Sequence, residues 1–226
     1  MNFLIVGLGN FGSSLAIRLT QLGHEVIGVD SSMSKVEMFK NDITHTICAN
    51  CTDIHSAKDL PIQDTDVVVI SIGENEGDSI MATAIMKQLN AKRIIGRAVS
   101  KTQEIILNAM GIDEVVHPEQ DSSFKLAKNL TTEGLIDTFE LSDRYSIVKV
   151  TVPERYVGKT LQELDLRNTY NLTVLTTLTK TQKRTFFGLR KGTFEVNEIA
   201  KANTVLEEDA VMVLFGDVKD IERFLE

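Results

Sequence analysis

The chain is poor in cysteine, histidine and positive charge, and it has no long apolar run. Its 226 residues include two cysteines, Cys48 and Cys51, too few for a disulfide framework. Thiol usage of that kind fits a reducing compartment. Twenty-four Lys and Arg stand against 32 Asp and Glu, a formal net charge of −8. Nucleic-acid binding needs clustered Lys and Arg against phosphate, so nucleic acid is not expected as a partner. The same charge argues against free docking on an anionic lipid surface. No segment approaches the roughly 18 consecutive apolar residues of a membrane span. The N-terminus runs straight into an apolar strand, so no signal peptide is expected and the cytoplasm is the expected location. Low-complexity segments and internal repeats are also absent. Composition is otherwise that of a soluble globular protein, with 42% apolar and 25% charged residues.

The strongest local pattern lies in the first thirty residues. An apolar strand, Phe3-Leu4-Ile5-Val6, leads into Gly7-Leu8-Gly9-Asn10-Phe11-Gly12. Gly7 allows a sharp turn off the strand, and Gly9 lets a phosphate approach the backbone. Gly12 permits tight packing of the next helix on the sheet. Phe11, Leu15, Leu19 and Leu22 then recur at helical spacing, and Gly23 closes the helix. The second strand, Glu25 to Val29, delivers Asp30 about 20 residues beyond the glycines, where a ribose-binding carboxylate belongs. A phosphate is expected at the helix N-terminus, where free N–H groups and the helix dipole favour an anion. Ser31 and Ser32 follow Asp30 with no arginine, which disfavours a 2′-phosphate and hence NADP.

Beyond Asp30 the chain alternates strand and helix. Strands are expected at Thr44–Cys48, Val67–Ile72, Arg93–Arg97 and Glu114–His117. The run Val67-Val68-Val69-Ile70-Ser71-Ile72 reads as a strand covered by helices on both faces. The expected fold is α/β: a Rossmann-like doubly wound parallel sheet, strand order 3-2-1-4-5-6, followed by a small α+β C-terminal module. The expected division is 1–130 for the nucleotide-binding domain, 131–145 for a crossover linker and 146–226 for the second domain. The latter is small enough that docking or dimerisation is expected.

Longer motifs add a family. The chain resembles the cytoplasmic regulatory subunits of Ktr- and Trk-type bacterial potassium uptake systems, built from the two halves of an RCK (regulator of potassium conductance) module. The resemblance rests on the glycine motif, on Gly23-His24-Glu25-Val26, on His117-Pro118-Glu119-Gln120-Asp121 and on Leu141-Ser142-Asp143-Arg144-Tyr145-Ser146. It extends through Val157-Gly158-Lys159-Thr160-Leu161 and Thr204-Val205-Leu206-Glu207-Glu208-Asp209.

The resemblance implies a non-enzymatic gating subunit on the inner face of the membrane. It implies ATP, ADP or NAD(H) in the glycine-loop site and homodimers assembled into an octameric ring. The ring would act on an integral membrane potassium channel subunit of the KtrB/TrkH kind. It also implies that the C-terminal half can bind cyclic di-AMP between two subunits. The expected nucleotide contacts are Gly7, Gly9, Asn10, Phe11, Gly12, Asp30, Ser31, Asn50, Cys51, Thr52, Asp53, Ile72, Gly73 and Arg97. Glu119 is the candidate ligand for Mg²⁺ or Ca²⁺ shared with the nucleotide phosphates. The family usually carries an arginine where Asn10 stands, so Arg97, Lys125 or Lys128 would have to supply the missing charge, or NAD(H) would be the better ligand.

Three other readings compete. Cys48-Ala49-Asn50-Cys51 has redox or half-zinc spacing, with only His45 and His55 nearby. An NAD-dependent oxidoreductase would need an acid–base residue beside the nicotinamide, and His117 is the one tolerable candidate. A redox-sensing repressor would need a basic DNA-binding domain, which the sequence lacks. The basic stretch with Lys180, Lys183, Arg184, Arg190 and Lys191 reads as a solvated hairpin, or as a contact for an anionic ligand or the channel partner.

Overall fold

In the computed structural model, residues 1–184 and 190–226 are described; the side chains at 180–193 and 198 are not among them. The basic side chains from Lys180 to Lys191 therefore lie outside the described residues. The chain forms two compact units, Met1–Asp121 and Ser122–Glu226.

The first unit holds a six-stranded parallel sheet of order β3-β2-β1-β4-β5-β6, as the sequence predicts. Its strands are β1 (Asn2–Val6), β2 (Glu25–Asp30), β3 (His45–Cys48), β4 (Val67–Ile70), β5 (Ile94–Arg97) and β6 (Glu114–Val116). Between them run α1 (Asn10–Gln21), α2 (Met33–Phe39), α3 (Ile54–Lys58), α4 (Glu76–Gln88) and α5 (Lys101–Ala109). Strand side chains alternate between faces. Leu4, Val6, Val68 and Ile70 pack on one side with Ala82 and Met86 of α4. Ile5, Val67 and Val69 pack on the other with Ala16 of α1. All four residues of β4 are buried because helices cover both faces.

Helix α6 (Pro118–Thr131) starts in the first unit and continues into the second, where β7 (Leu135–Glu140) follows. Within the stretch 131–145, expected as a crossover linker, β7 pairs antiparallel with β8 (Tyr145–Thr151). The pattern is weak there because β7 has half-buried residues but none fully buried.

Two short helices, α7 (Leu161–Leu164) and α8 (Leu166–Tyr170), meet at Asp165, whose φ of 44° interrupts the helix. Then come β9 (Thr173–Arg184), β10 (Arg190–Ile199), β11 (Val211–Asp217) and α9 (Val218–Leu225). The second sheet has the order β10-β9-β11-β8-β7 and is antiparallel in every pairing. β10 lies in the stretch that the sequence reads as a hairpin, and it pairs antiparallel with β9.

The core of the second unit centres on Phe224 of α9, which is fully buried. Its ring stacks on Tyr156 at 5.3 Å and meets the edge of Tyr170 at 5.5 Å. The two tyrosine hydroxyls are 2.9 Å apart and satisfy one another. Phe224→Ala should therefore cost the second unit about 3–5 kcal/mol, the usual range for a buried aromatic. Denaturant unfolding followed by near-ultraviolet circular dichroism, which reports Tyr156 and Tyr170, measures it; a loss below about 1 kcal/mol would contradict this core.

Candidate functional site

A cavity of about 400 Å³ opens at the carboxyl ends of β1, β2 and β4. In an open α/β sheet this is the switch point where successive connections diverge to opposite faces. Gly7, with φ of +98°, turns the chain off β1 in a conformation that side chains rarely adopt. Its N–H donates to the Val29 carbonyl at 2.7 Å. Its own carbonyl accepts the buried Ser71 hydroxyl, also at 2.7 Å. A Cβ on Gly12 would stand 1.9 Å from that carbonyl and 2.4 Å from Ser71 Oγ. Gly12 is thus a packing residue and does not line the cavity. A Cβ on Gly9 would meet nothing within 4 Å, so the backbone there faces open space.

Gly9, Asn10 and Phe11 bring the start of α1 to the cavity wall. No acidic residue occupies the first turn of α1, so the positive end of its dipole is not neutralised locally. Across the cavity Asp30 closes β2 with its side chain 8% exposed. The Leu8 N–H donates to Asp30 Oδ2 at 2.8 Å and the Ser32 N–H to Oδ1 at 2.9 Å. Each oxygen keeps further acceptor capacity. The carboxylate is held in position by the loop it serves.

Ser31, Asn50, Cys51, Thr52, Ile72 and Gly73 also line the cavity. Asn50 Oδ1 accepts the Thr52 N–H at 3.0 Å and the Thr52 hydroxyl at 2.8 Å, which shapes that rim. Asp53 stands apart from the expected contacts. It caps α3, accepting from His55 N, Ser56 N and Ser56 Oγ, and the Ser56 hydroxyl foremost holds its carboxyl below the usual range. Its signal was available, since Asp followed by a short helix reads as an N-cap.

Sequence reasoning missed Lys35, Glu74, Asn75 and Asp78, which also line the cavity. Lys35 Nζ lies 3.7 Å from Asp30 Oδ2 and 3.6 Å from Glu74 Oε1. Asn75 caps α4 by accepting from Gly77 N at 2.9 Å. Arg97 and Glu119, both expected, face each other as an ion pair at the wall. Lys125 and Lys128 instead pair with Asp137 and Glu140 in the second unit. His117 is not on the cavity wall; its Nε2 lies 3.6 Å from Glu104.

The two cysteines have different surroundings. Cys51 is buried, and burial first, then the nearby Asp30 charge, push its thiol up to about 12. Cys48 is exposed, with Sγ 3.5 Å from the Ser31 carbonyl. Among the described residues no three His, Cys, Asp or Glu converge on one point. At about pH 8, iodoacetamide should alkylate Cys48 in the folded protein and spare Cys51, because the thiolate is the reactive form. Peptide mass analysis reads both sites, and equal labelling would show that Cys51 is not buried in this wall.

Residues 3–118 match the TrkA-N domain family. The Ktr system potassium uptake protein C of Bacillus subtilis (strain 168) is 31% identical over 222 residues, covering 98% of this chain and 95% of that protein. The crystal structure of the GsuK RCK domain superposes with a TM-score of 0.67 at 16% identity, over 99% of this chain and 46% of that one. The GsuK channel bound to NAD gives a TM-score of 0.64 at 16% identity, over 99% of this chain and 39% of that one. Those two likenesses establish a shared fold. With a TrkA-N domain at its start and a Ktr relative aligned along nearly its whole length, the chain belongs to the family of Ktr-type potassium uptake proteins.

Proposed function

We propose that this protein is a cytoplasmic regulatory subunit that gates a membrane potassium channel according to the nucleotide it holds. The observation that carries the reading is the pairing of a carboxylate and a bare helix start across one cavity. Asp30 presents acceptor oxygens fixed by two backbone N–H groups. The start of α1 faces it without acidic residues. A ribose and a pyrophosphate joined in one molecule match that spacing of chemistry. Adenine nucleotides, ATP or ADP, and NAD(H) all contain it, and the GsuK channel was solved with NAD.

The role is that of a signal receptor and not of an enzyme. A ligand changes the protein's shape only through unequal affinity for two shapes. In this reading, homodimers assemble into an octameric ring on the inner face of the membrane, and the ring couples those shapes to a KtrB/TrkH-like pore. Among the described residues no helix is long and apolar enough to cross a membrane, and in this reading a partner chain supplies the pore. The division into a nucleotide-binding domain, a crossover and a C-terminal domain fits the same scheme, with cyclic di-AMP bound by the C-terminal domains of two subunits. A divalent cation at Glu119 would take most of its ligands from nucleotide phosphates and water, as Mg²⁺ does.

Asp30→Ala should weaken nucleotide binding about ten- to a hundredfold. Hydrogen bonds to a charged group contribute about 1.5–3 kcal/mol, and about 1.4 kcal/mol is a factor of ten. Asp30→Asn keeps one acceptor oxygen for the loop and separates ligand loss from a loosened turn. Calorimetry with ATP, ADP, NADH and cyclic di-AMP measures affinity, and potassium flux with the channel partner measures control. Unchanged nucleotide affinity in both variants would place the ligand elsewhere.

A further inference from the structure

Arg97 ends β5 and reaches back over the cavity, with its side chain 15% exposed. Three sets of contacts hold it. Nη2 pairs with Glu119 Oε1, and Nε lies 3.4 Å from Oε2. Nη1 donates to the Ser71 carbonyl at 3.2 Å. The guanidinium carbon lies 5.7 Å from the centre of the Phe11 ring, and Phe11 is the second residue of α1. Arg97 is thus a neighbour of the helix start at which a phosphate would sit. A Cβ on Gly73 would come within 2.5 Å of Nη1, so the bare backbone at Gly73 makes room for this pose.

The partner is weakly committed. Glu119 is 57% exposed in its side chain and belongs to the first turn of α6. An ion pair with one half-exposed member contributes little. A phosphate group offers the same planar fork a bidentate acceptor with more charge. The cavity's other cation, Lys35, already lies between Asp30 and Glu74.

We propose that Arg97 is the residue that distinguishes a nucleotide ending in a phosphate from a dinucleotide whose phosphates are internal, by exchanging Glu119 for the terminal phosphate. The proposal rests on the nucleotide reading of this cavity and adds the ligand class it prefers. Arg97 leaves Glu119 when a terminal phosphate arrives. The freed carboxylate then stands at the start of α6, the helix by which the chain passes from one compact unit to the next. An internal pyrophosphate, with one charge per phosphorus and no terminal group, leaves the Arg97–Glu119 pair in place. Arg97 thus places a positive charge beside Phe11, at the start of α1.

The test is calorimetry of AMP, ADP, ATP and NAD against the full chain with excess chelator, so that no divalent cation bridges Glu119. Arg97→Gln should weaken ADP and ATP about tenfold or more while changing NAD less than about threefold. Arg97→Lys should recover part of that loss, because it keeps the charge without the fork. Glu119→Gln should tighten ADP and ATP, and that gain should vanish in the Arg97→Gln background, since the two residues act on one step. Equal weakening of all four ligands by Arg97→Gln would overturn the proposal, as would a Glu119→Gln variant that binds ADP no better than the parent. Absence of binding by any nucleotide to the parent chain would overturn the nucleotide reading itself and the proposal with it. Melting curves matching the parent show that the variants are folded.

Discussion

Helix α1 reaches the ends of β1 and β4 because position 12 carries no side chain. The Gly7 carbonyl and the Ser71 hydroxyl occupy the space where a Cβ would be. This close approach sets much of the site. It aims the start of α1 across the crest of the sheet, towards Asp30. It lets one buried hydroxyl tie β4 to the turn after β1, accepting no gap between them. Overpacking at such a point cannot be absorbed locally, since both neighbours are backbone or buried polar atoms. The cavity is a consequence of how three strand ends and one helix start are forced together, and its polar lining follows from the same backbone.

The charged part of that lining is mainly carboxylate. Asp30, Glu74, Asp78 and Glu119 stand against Lys35 and Arg97, and both cations are already within reach of acids. An anionic ligand here must be held chiefly by backbone N–H groups and the helix dipole.

The first unit was legible because its information is local. A glycine motif, a helical repeat and a strand-end aspartate lie within thirty residues, and each is required by backbone geometry or by burial. Strand order followed from regular alternation. The second unit was harder to read. β7 has four half-buried residues and none fully buried, so its sequence carries little alternation. β10 pairs by backbone hydrogen bonds to β9, which residue type scarcely encodes. Within the site, Asp30 could be located by its distance from the glycines, whereas Lys35 and Glu74 could not. They meet only because α2 and the loop after β4 come together at the crest, some forty residues apart in the chain. Asp53 illustrates the opposite error: proximity in sequence to Asn50 and Thr52 suggested a shared role, but a helix cap had already engaged its oxygens.

The energetic scale of these ion pairs bears on how such a site can signal. An exposed pair contributes about 0–1 kcal/mol, while a tenfold preference of a ligand for one shape over another corresponds to about 1.4 kcal/mol. Had the cavity cations been buried and fully engaged, breaking their pairs would cost several kcal/mol, and a nucleotide would have to spend most of its binding energy there. Arg97 and Lys35 instead each hold one partner that is more than half exposed, Glu119 and Glu74, although Lys35 also lies 3.7 Å from the buried Asp30. Their rearrangement lies within what a single phosphate can drive. The rigid parts, Gly12 against Gly7 and Asp30 against its two N–H donors, keep the ligand's position constant while these softer contacts change. In the proposed reading, stable placement combined with weakly held charge lets occupancy be converted into shape.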